Sequence, residues 1–375
     1  MLQGIQLTLM MGPGIAVPVP SFVIDALDSV SITSGKDQSG FQLSFAVGKN
    51  SPILTSLLPA GYFQPVTTRV VVVVTLNGVP NVLMDGFITN QEYAPSSQAG
   101  ASKLTITGDD LSVAMDLIEI ILPNPAMSDA IKVKTRLAYY KALGIMSVVI
   151  PPIISIVKKP TEKYEIQRST DKAFIKKLAQ ENGYVFYIKP GPLPGMSIAY
   201  FGPEIPTFFA QSALSINMDS STNVEGLTFS LNGLSTSVYV HYIFDPITEK
   251  MSIPVPIPSI NPMKGMLTNV PVPPFKLQYG DSSASKTADE SAKEILTKIL
   301  NTDNKPVASS GNIDVLRYGK IIQSRTIIGV RGAGLYYDGF YYVDSVTHDI
   351  RPGSYKQTFS MSRDGLFPKT PLVPV

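Results

Sequence analysis

The sequence predicts a β-rich α+β fold, and three observations carry that prediction. Several stretches alternate apolar and polar residues with period two, and they favour Val, Ile, Thr, Tyr and Phe, which suit a pleated, half-buried surface. Turn signals such as Asn77-Gly78 and Pro352-Gly353 separate such stretches. Helical spacing is clearest in three segments, 127–143, 169–182 and 281–300. Composition agrees: charged residues are 16% of the chain, below the ordinary quarter or so. An apolar, near-neutral chain of this kind folds rather than staying disordered, and its low charge suits a surface covered by protein partners. A length of 375 residues implies two or three domains.

The N-terminal third reads as strands. Residues 40–47 place Phe41, Leu43 and Phe45 on one face. The strand at 68–76 is centred on five valines, Val70 to Val74, and a run apolar on both faces predicts burial on both faces. Asn77-Gly78 is a strong hairpin signal, and the return strand runs from 81 to about 93 through Met84-Asp85-Gly86. Residues 103–107 alternate and lead into Gly108-Asp109-Asp110-Leu111-Ser112. Asp109, Asp110, Asp116 and Glu119 gather near a predicted helix start. They read as charge complementing a helix N-terminus on a solvated face, in preference to a cation site or catalytic carboxylates.

The middle of the chain changes period. Residues 127–143 predict a helix with Ile131, Leu137, Tyr140 and Ala142 as its apolar positions and Gly144 as its stop. Residues 147–157, with two prolines, read as an extended linker or edge strand. Ser169 or Thr170 caps the next helix, and Phe174, Ile175, Leu178 and Ala179 recur at helical spacing. Gly183 sits where a left-handed C-terminal residue belongs, and Tyr184 opens a strand.

Strands return over 224–231 and 236–244, the latter with Tyr239, His241 and Ile243 on one face. Residues 253–274 hold seven prolines and read as an irregular extended loop. Residues 281–300 predict an amphipathic helix with Ala288, Ala292, Ile295, Leu296 and Ile299 inward. In the closing hairpin, Phe340, Tyr342, Val346, His348 and Ile350 share one face; Tyr341, Val343, Ser345, Thr347 and Asp349 share the other. Pro352-Gly353 forms the turn, and the return strand sets Tyr355, Phe359 and Met361 against Lys356, Thr358, Ser360 and Ser362.

Several function classes are disfavoured. With no cysteine, disulfides, thiolate metal sites and Cys nucleophiles are excluded. Two histidines, His241 and His348, make a His-rich metal site unexpected, and His241 reads as an ordinary strand residue. A net charge of +2, with only short pairs such as Lys158-Lys159 and Lys176-Lys177, gives no basis for nucleic-acid recognition. The apolar run 142–157 is too short and too Pro-interrupted to span a bilayer, and residues 1–19 lack a basic signal-peptide start. Gly332-x-Gly334 lacks the third glycine of a dinucleotide fingerprint, and 191–195 lacks the Lys-Ser/Thr of a phosphate loop. Residues 233–237 are not a nucleophile elbow. His348 and Asp349 are strand neighbours and point to opposite faces. No catalytic constellation, cofactor or metal is therefore expected. The aromatic cluster Tyr336, Tyr337, Phe340, Tyr341 and Tyr342 suits either a sugar platform or an interface, and the interface reading is preferred. The expected contact residues are Tyr336, Tyr337, Tyr341 and Arg363.

Four motifs, in order along the chain, resemble a known family. They are Asp85-Gly86 with Thr107-Gly108-Asp109-Asp110-Leu111-Ser112; Phe174, Leu178-Ala179, Glu181 and Gly183-Tyr184; the Ala-rich late helix; and the closing hairpin with Asp338-Gly339, Tyr341-Tyr342-Val343, Ser345-Val346-Thr347-His348 and Ser362-Arg363. This pattern resembles the late-control D family of phage baseplate hubs, related to the hub portion of VgrG in type VI secretion. The resemblance implies two tube-like antiparallel β-barrel domains, over 1–125 and 213–367, around a small α/β domain at 126–212. The Pro-rich loop and the late helix would belong to the second barrel, and 368–375 would be a flexible tail.

The resemblance further implies a structural, non-enzymatic homotrimer. Its barrels would form a pseudo-six-fold ring that joins a six-fold inner tube protein to a three-fold spike protein among other baseplate components. Assembly would occur in the cytoplasm of the producing cell, without membrane insertion, and the product would be part of a virion or injection particle. The chain ends soon after the closing hairpin and carries no repetitive spike or lysozyme-like insertion, so a separate spike protein is expected. The alternatives are a carbohydrate-binding adhesin using the Tyr cluster, and a hydrolase using Asp109 or His348.

Overall fold

The computed structural model describes residues 4–36, 39–98, 102–157, 165–204, 210–244, 251–257, 261, 263, 265–279, 288–302 and 305–370. Its spine is a thirteen-stranded sheet. In the N-terminal half the order is Ile5–Pro13, Thr68–Leu76, Val79–Ala94, Lys103–Asp110, Ser39–Ala46 and Leu27–Gly35, each pair antiparallel. Leu27–Gly35 then pairs with Gly339–Arg351, so the sheet runs on through Ser354–Arg363, Val307–Asp314 and Gly226–Leu231. A branch adds Ile327–Arg331 and Ala210–Ser215. The two β-units are thus halves of one continuous sheet, a feature that no local pattern in the sequence announces.

A β-bulge makes that join. The ladder between Gly339–Arg351 and Ser354–Arg363 shifts between Val343 and Ser345, leaving Asp344 as the extra residue. Before the bulge the strand pairs with Ile327–Arg331; after it, with Leu27–Gly35. The Asp344 carbonyl accepts from Lys36 N at 3.2 Å, and its carboxylate pairs with Lys305. One extra residue also inverts side-chain parity. Tyr341 and Val343 consequently share the buried face with Val346, His348 and Ile350, which corrects the uninterrupted alternation expected from sequence. The turn matches expectation: Gly353 has φ 84° and Arg351 faces Ser354.

Among the described residues three cores are distinct. The first packs Leu9, Val30, Leu43, Phe45, Val72 and Ile106, and it includes Ile350 and Tyr355 from the closing hairpin. The last gathers Leu214, Val307, Ile328, Tyr341, Val343 and Phe359. The middle core lies between the helices Asp129–Ala138 and Asp171–Glu181 and the three-stranded sheet of Ile145–Val149, Ser197–Gly202 and Val185–Pro190. Ser128 and Thr170 cap the two helices by accepting from Ile131 N and Ala173 N. Of the segment 147–157, read as a linker or edge strand, residues 147–149 end the edge strand Ile145–Val149, parallel to Ser197–Gly202, and 150–157 continue without helix or strand.

Two further expectations change. The late helix, described over Ala288–Leu300, packs Leu296 and Leu300 into the middle core rather than the C-terminal one. Gly183 makes this possible: at φ 67° it caps the preceding helix, and a Cβ there would lie 2.5 Å from Leu300 Cβ. Lys293 Nζ also reaches Asp129 Oδ2 at 3.0 Å. The Pro-rich stretch is not wholly irregular. Met251–Ile257 pairs with Ser237–Phe244 as the outer strand of a three-stranded sheet, a position that tolerates Pro254 and Pro256. Thr268–Pro271 pairs with Gly365–Pro368, which ties down Pro368 at the start of the expected tail.

Candidate assembly surfaces

Of the four expected contact residues, the structure leaves one well exposed. Tyr341 and Arg363 are buried inside the chain. The Arg363 guanidinium lies 4.6 Å from the Tyr341 ring and donates to the carbonyls of Gly365, Asp338 and Tyr336 at 3.0, 2.7 and 2.8 Å. Its role is to fold the 336–339 loop onto the sheet, because a buried guanidinium must satisfy its donors and here backbone oxygens do so. Tyr337 stacks on Phe229 with centroids 4.8 Å apart and is half-buried. Tyr336 is 36% exposed and meets Tyr337 and Phe367 edge-on, beside Leu335 at 80% exposure. The surface at this end is therefore Leu335, Tyr336 and Phe367, with Tyr341 and Arg363 as its internal supports.

A second surface escaped sequence reading. Glu119–Asn124 and Glu165–Thr170 form a two-stranded ribbon. Its inner face is polar: Asn124 and Gln167 are buried and accept from Arg136 at 2.8 and 2.7 Å, and Gln167 donates to Asp171 at 2.9 Å. Its outer face carries Ile121, 77% exposed, opposite Arg168, and Pro123 opposite Ile166, 39% exposed. Leu117, Ile118 and Ile131 are exposed as well, Ile131 contrary to the inward position expected of it. The ordinary arrangement, apolar in and polar out, is inverted on this ribbon.

A buried ion pair docks the middle unit. Arg69 Nε and Nη2 donate to the two carboxylate oxygens of Asp85, both at 2.7 Å. Both residues sit on the sheet face opposite Val70, Val72 and Val74, where Ser197 donates to Asp85 at 3.2 Å and Arg69 donates to the Gly195 carbonyl at 3.2 Å. The valine run is buried on both faces, and Phe87 on this second face belongs to the middle core. The glycines of the first motif have a steric reason. A Cβ on Gly86 would lie 1.9 Å from the Asp109 carbonyl, and one on Gly108 would lie 2.2 Å from the Phe87 carbonyl. A lone acid inside a buried strand, sixteen residues after an arginine, was the available signal for the pair.

The residues of the hydrolase reading and of the acidic cluster do not converge, and Asp109 is exposed near the end of the strand Lys103–Asp110. His348 is buried, its Nδ1 2.7 Å from the Tyr355 hydroxyl, and burial lowers its pKa from 6.5 to about 4. Asp110 caps the short 3-10 turn Leu111–Met115 by accepting from Ser112 N, and burial raises its carboxyl above the usual range. Asp116 pairs with Lys172 at 3.5 Å, and Glu119 lies in a strand rather than near a helix start. Among the described residues no group of three or more His, Asp or Glu side chains is placed to hold a metal, and no helix is long and apolar enough to cross a membrane. His241 lies in Ser237–Phe244, and its side chain falls outside the described residues, as do Lys158 and Lys159.

No family model matches the sequence, and no curated protein matches it. Solved structures do. A tail protein from Neisseria meningitidis superposes with a TM-score of 0.63 at 13% identity, over 97% of this chain and 98% of that one. The 43 kDa tail protein of prophage MuSo2 from Shewanella oneidensis gives 0.60 at 12% identity, over 96% and 100%. An Escherichia coli component of the type VI secretion system, described as similar to tail proteins of phage T4, gives 0.53 at 10% identity, over 93% and 78%. The chain therefore has the β-rich α+β fold of phage tail proteins and of their type VI secretion counterparts, the hub-like fold that its four motifs resemble.

Proposed function

We propose that this chain is a structural baseplate hub of a contractile tail or injection system. The observation that carries the reading is its end-to-end likeness to two tail proteins, each covered almost completely. In this reading three copies form a ring in which each supplies two β-units, giving pseudo-six-fold symmetry toward an inner tube and three-fold symmetry toward a spike. Assembly in the producing cell precedes incorporation into the particle. Two features of the chain support it. The paired β-units are fused into one sheet, which fixes their relative angle as a symmetry adaptor requires. The exposed apolar ribbon and the Leu335–Tyr336–Phe367 surface supply contact area with no catalytic chemistry.

The test is mass by light scattering of the purified chain, alone and with candidate spike and tube proteins, followed by end-on electron-microscope averages. A trimeric mass with a six-lobed ring is expected. A persistent monomer in the presence of both partners refutes the proposal.

A further inference from the structure

The middle unit leans over the outer face of the N-terminal half-sheet and leaves a cleft of about 630 Å³ between them. The floor is polar and hydroxyl-rich: Ser31 and Thr33, then Gln42, then Thr107, then Thr89, taken from four adjacent strands. Lys172, Lys176 and Tyr187 line it from the middle unit, and Lys36 and Arg325 complete its basic lining.

Arg325 is unusual in three ways. Its φ is 61°, a left-handed conformation that a non-glycine residue rarely adopts and that often accompanies function. Its guanidinium lies 3.9 Å above the Tyr187 ring, and Nη2 donates to the carbonyls of Gly35 and Lys36 at 2.9 and 3.2 Å. Its Nη1 is buried without a partner among the described residues.

Lys36 pairs with Glu204 at 3.8 Å and Lys172 with Asp116 at 3.5 Å. Asp110 is engaged in capping, and Asp109 is exposed on the floor. Lys176 is exposed and makes no ion pair among the described residues. Among the described residues four cations thus meet four carboxylates, two of them already paired with Lys36 and Lys172, and the two other cations, Lys176 and Arg325, retain donors to offer.

We propose that this cleft docks an extended acidic segment of a partner protein, with one carboxylate at Arg325 and another at Lys176. Four strands span three inter-strand spacings, ~14 Å, which is the length of about four extended residues. Hydroxyls along that floor suit a peptide backbone, whereas a lone small anion would use one cation and leave the floor unengaged. Arg325 is held flat by Tyr187 and fixed by two carbonyls, so it meets a carboxylate without first losing side-chain freedom. The inference goes beyond the hub reading and holds whether or not a ring forms.

The experiment is fluorescence anisotropy of a fluorescein-labelled hexaglutamate peptide titrated with the full chain at low salt. Saturable binding is expected, weakened at least tenfold by Lys176→Glu and by Arg325→Gly, the latter keeping the left-handed backbone. Lys276→Glu changes net charge equally at an exposed residue outside the cleft and is expected to leave binding within twofold. Should Arg325→Gly fail to fold, Lys176→Glu decides alone. Three outcomes overturn the proposal: no saturable binding, equal weakening by Lys176→Glu and Lys276→Glu, or displacement by inorganic phosphate at peptide-equivalent concentration, which would mark a small-anion site.

Discussion

Replacing Asp85 by Leu tests the docking of the middle unit on the sheet. The substitution leaves the Arg69 guanidinium 6% exposed with its bidentate partner gone. A buried charge stripped of its partner costs about 3–5 kcal/mol. Arg69→Met leaves Asp85, only 1% exposed, in the same position and should cost a similar amount, ~3–5 kcal/mol. The double variant removes both charges and substitutes apolar volume, which is often close to neutral for the pair itself. What remains is the Ser197 hydroxyl and the Gly195 carbonyl without their partners, about 1 kcal/mol each. The double variant should therefore lose ~2 kcal/mol, where adding the single variants predicts ~8. Urea unfolding followed by far-ultraviolet circular dichroism at pH 7 reads all four corners of the cycle. Single variants that each lose under ~1 kcal/mol, or a double variant that loses the sum, would refute the reasoning.

Three other outcomes follow from the structure. Gly183→Ala meets Leu300 Cβ at 2.5 Å at a left-handed φ, so it should cost ~2–4 kcal/mol and speed hydrogen exchange in Ala288–Leu300; unchanged exchange there would separate Gly183 from helix docking. His348 is held at about 4 by burial, so its neutral form belongs to the folded state. Its contribution is complete above pH 6.5 and is lost as pH falls from 6.5 toward 4, by ~3 kcal/mol at the low end. Asp110, Glu181 and Asp364, raised by burial, act with opposite sign. The measurement is therefore the difference in pH dependence between wild type and His348→Gln, and parallel curves would contradict it. Ile121→Asp with Ile166→Asp sits on exposed positions and should leave unfolding free energy within ~0.5 kcal/mol while reducing self-association or partner capture; intact assembly would rule the ribbon out as a contact.

Local elements were largely legible in the sequence, because each is written in a short window. Thr170 caps its helix, Gly183 and Gly353 take positive φ, and Val70 to Val74 are buried on both faces. What the sequence hid depends on residues far apart or on single insertions. The bulge at Asp344 adds no unusual residue, yet it reverses which aromatics are inside, and so the interface expected at Tyr341 lies in the core. Arg363 looked like a surface charge because its acceptors are backbone carbonyls, which carry no side-chain signature. The inverted ribbon misleads for a related reason: Asn124 and Gln167 are inward because Arg136, from a separate helix, satisfies them. The late helix reads as amphipathic from its own period, but its docking site is written at Gly183, more than a hundred positions earlier.

The join between Leu27–Gly35 and Gly339–Arg351 also sets a clock on synthesis. Thr33 and Thr347 bond at 3.1 Å across 314 positions. A ribosome adding about 5–20 residues per second needs roughly 16–63 s to make the 314 positions between them. Through most of that interval the strand Leu27–Gly35 has an uncovered edge, and Ile350 and Tyr355 are missing from the first core. Nascent chains therefore carry a sticky strand that the Gly339–Arg351 hairpin must cap. Truncation before the closing hairpin should yield aggregates rather than a shorter soluble protein. Chains that stop short of this hairpin are then lost from the folded pool, a selection performed by topology alone.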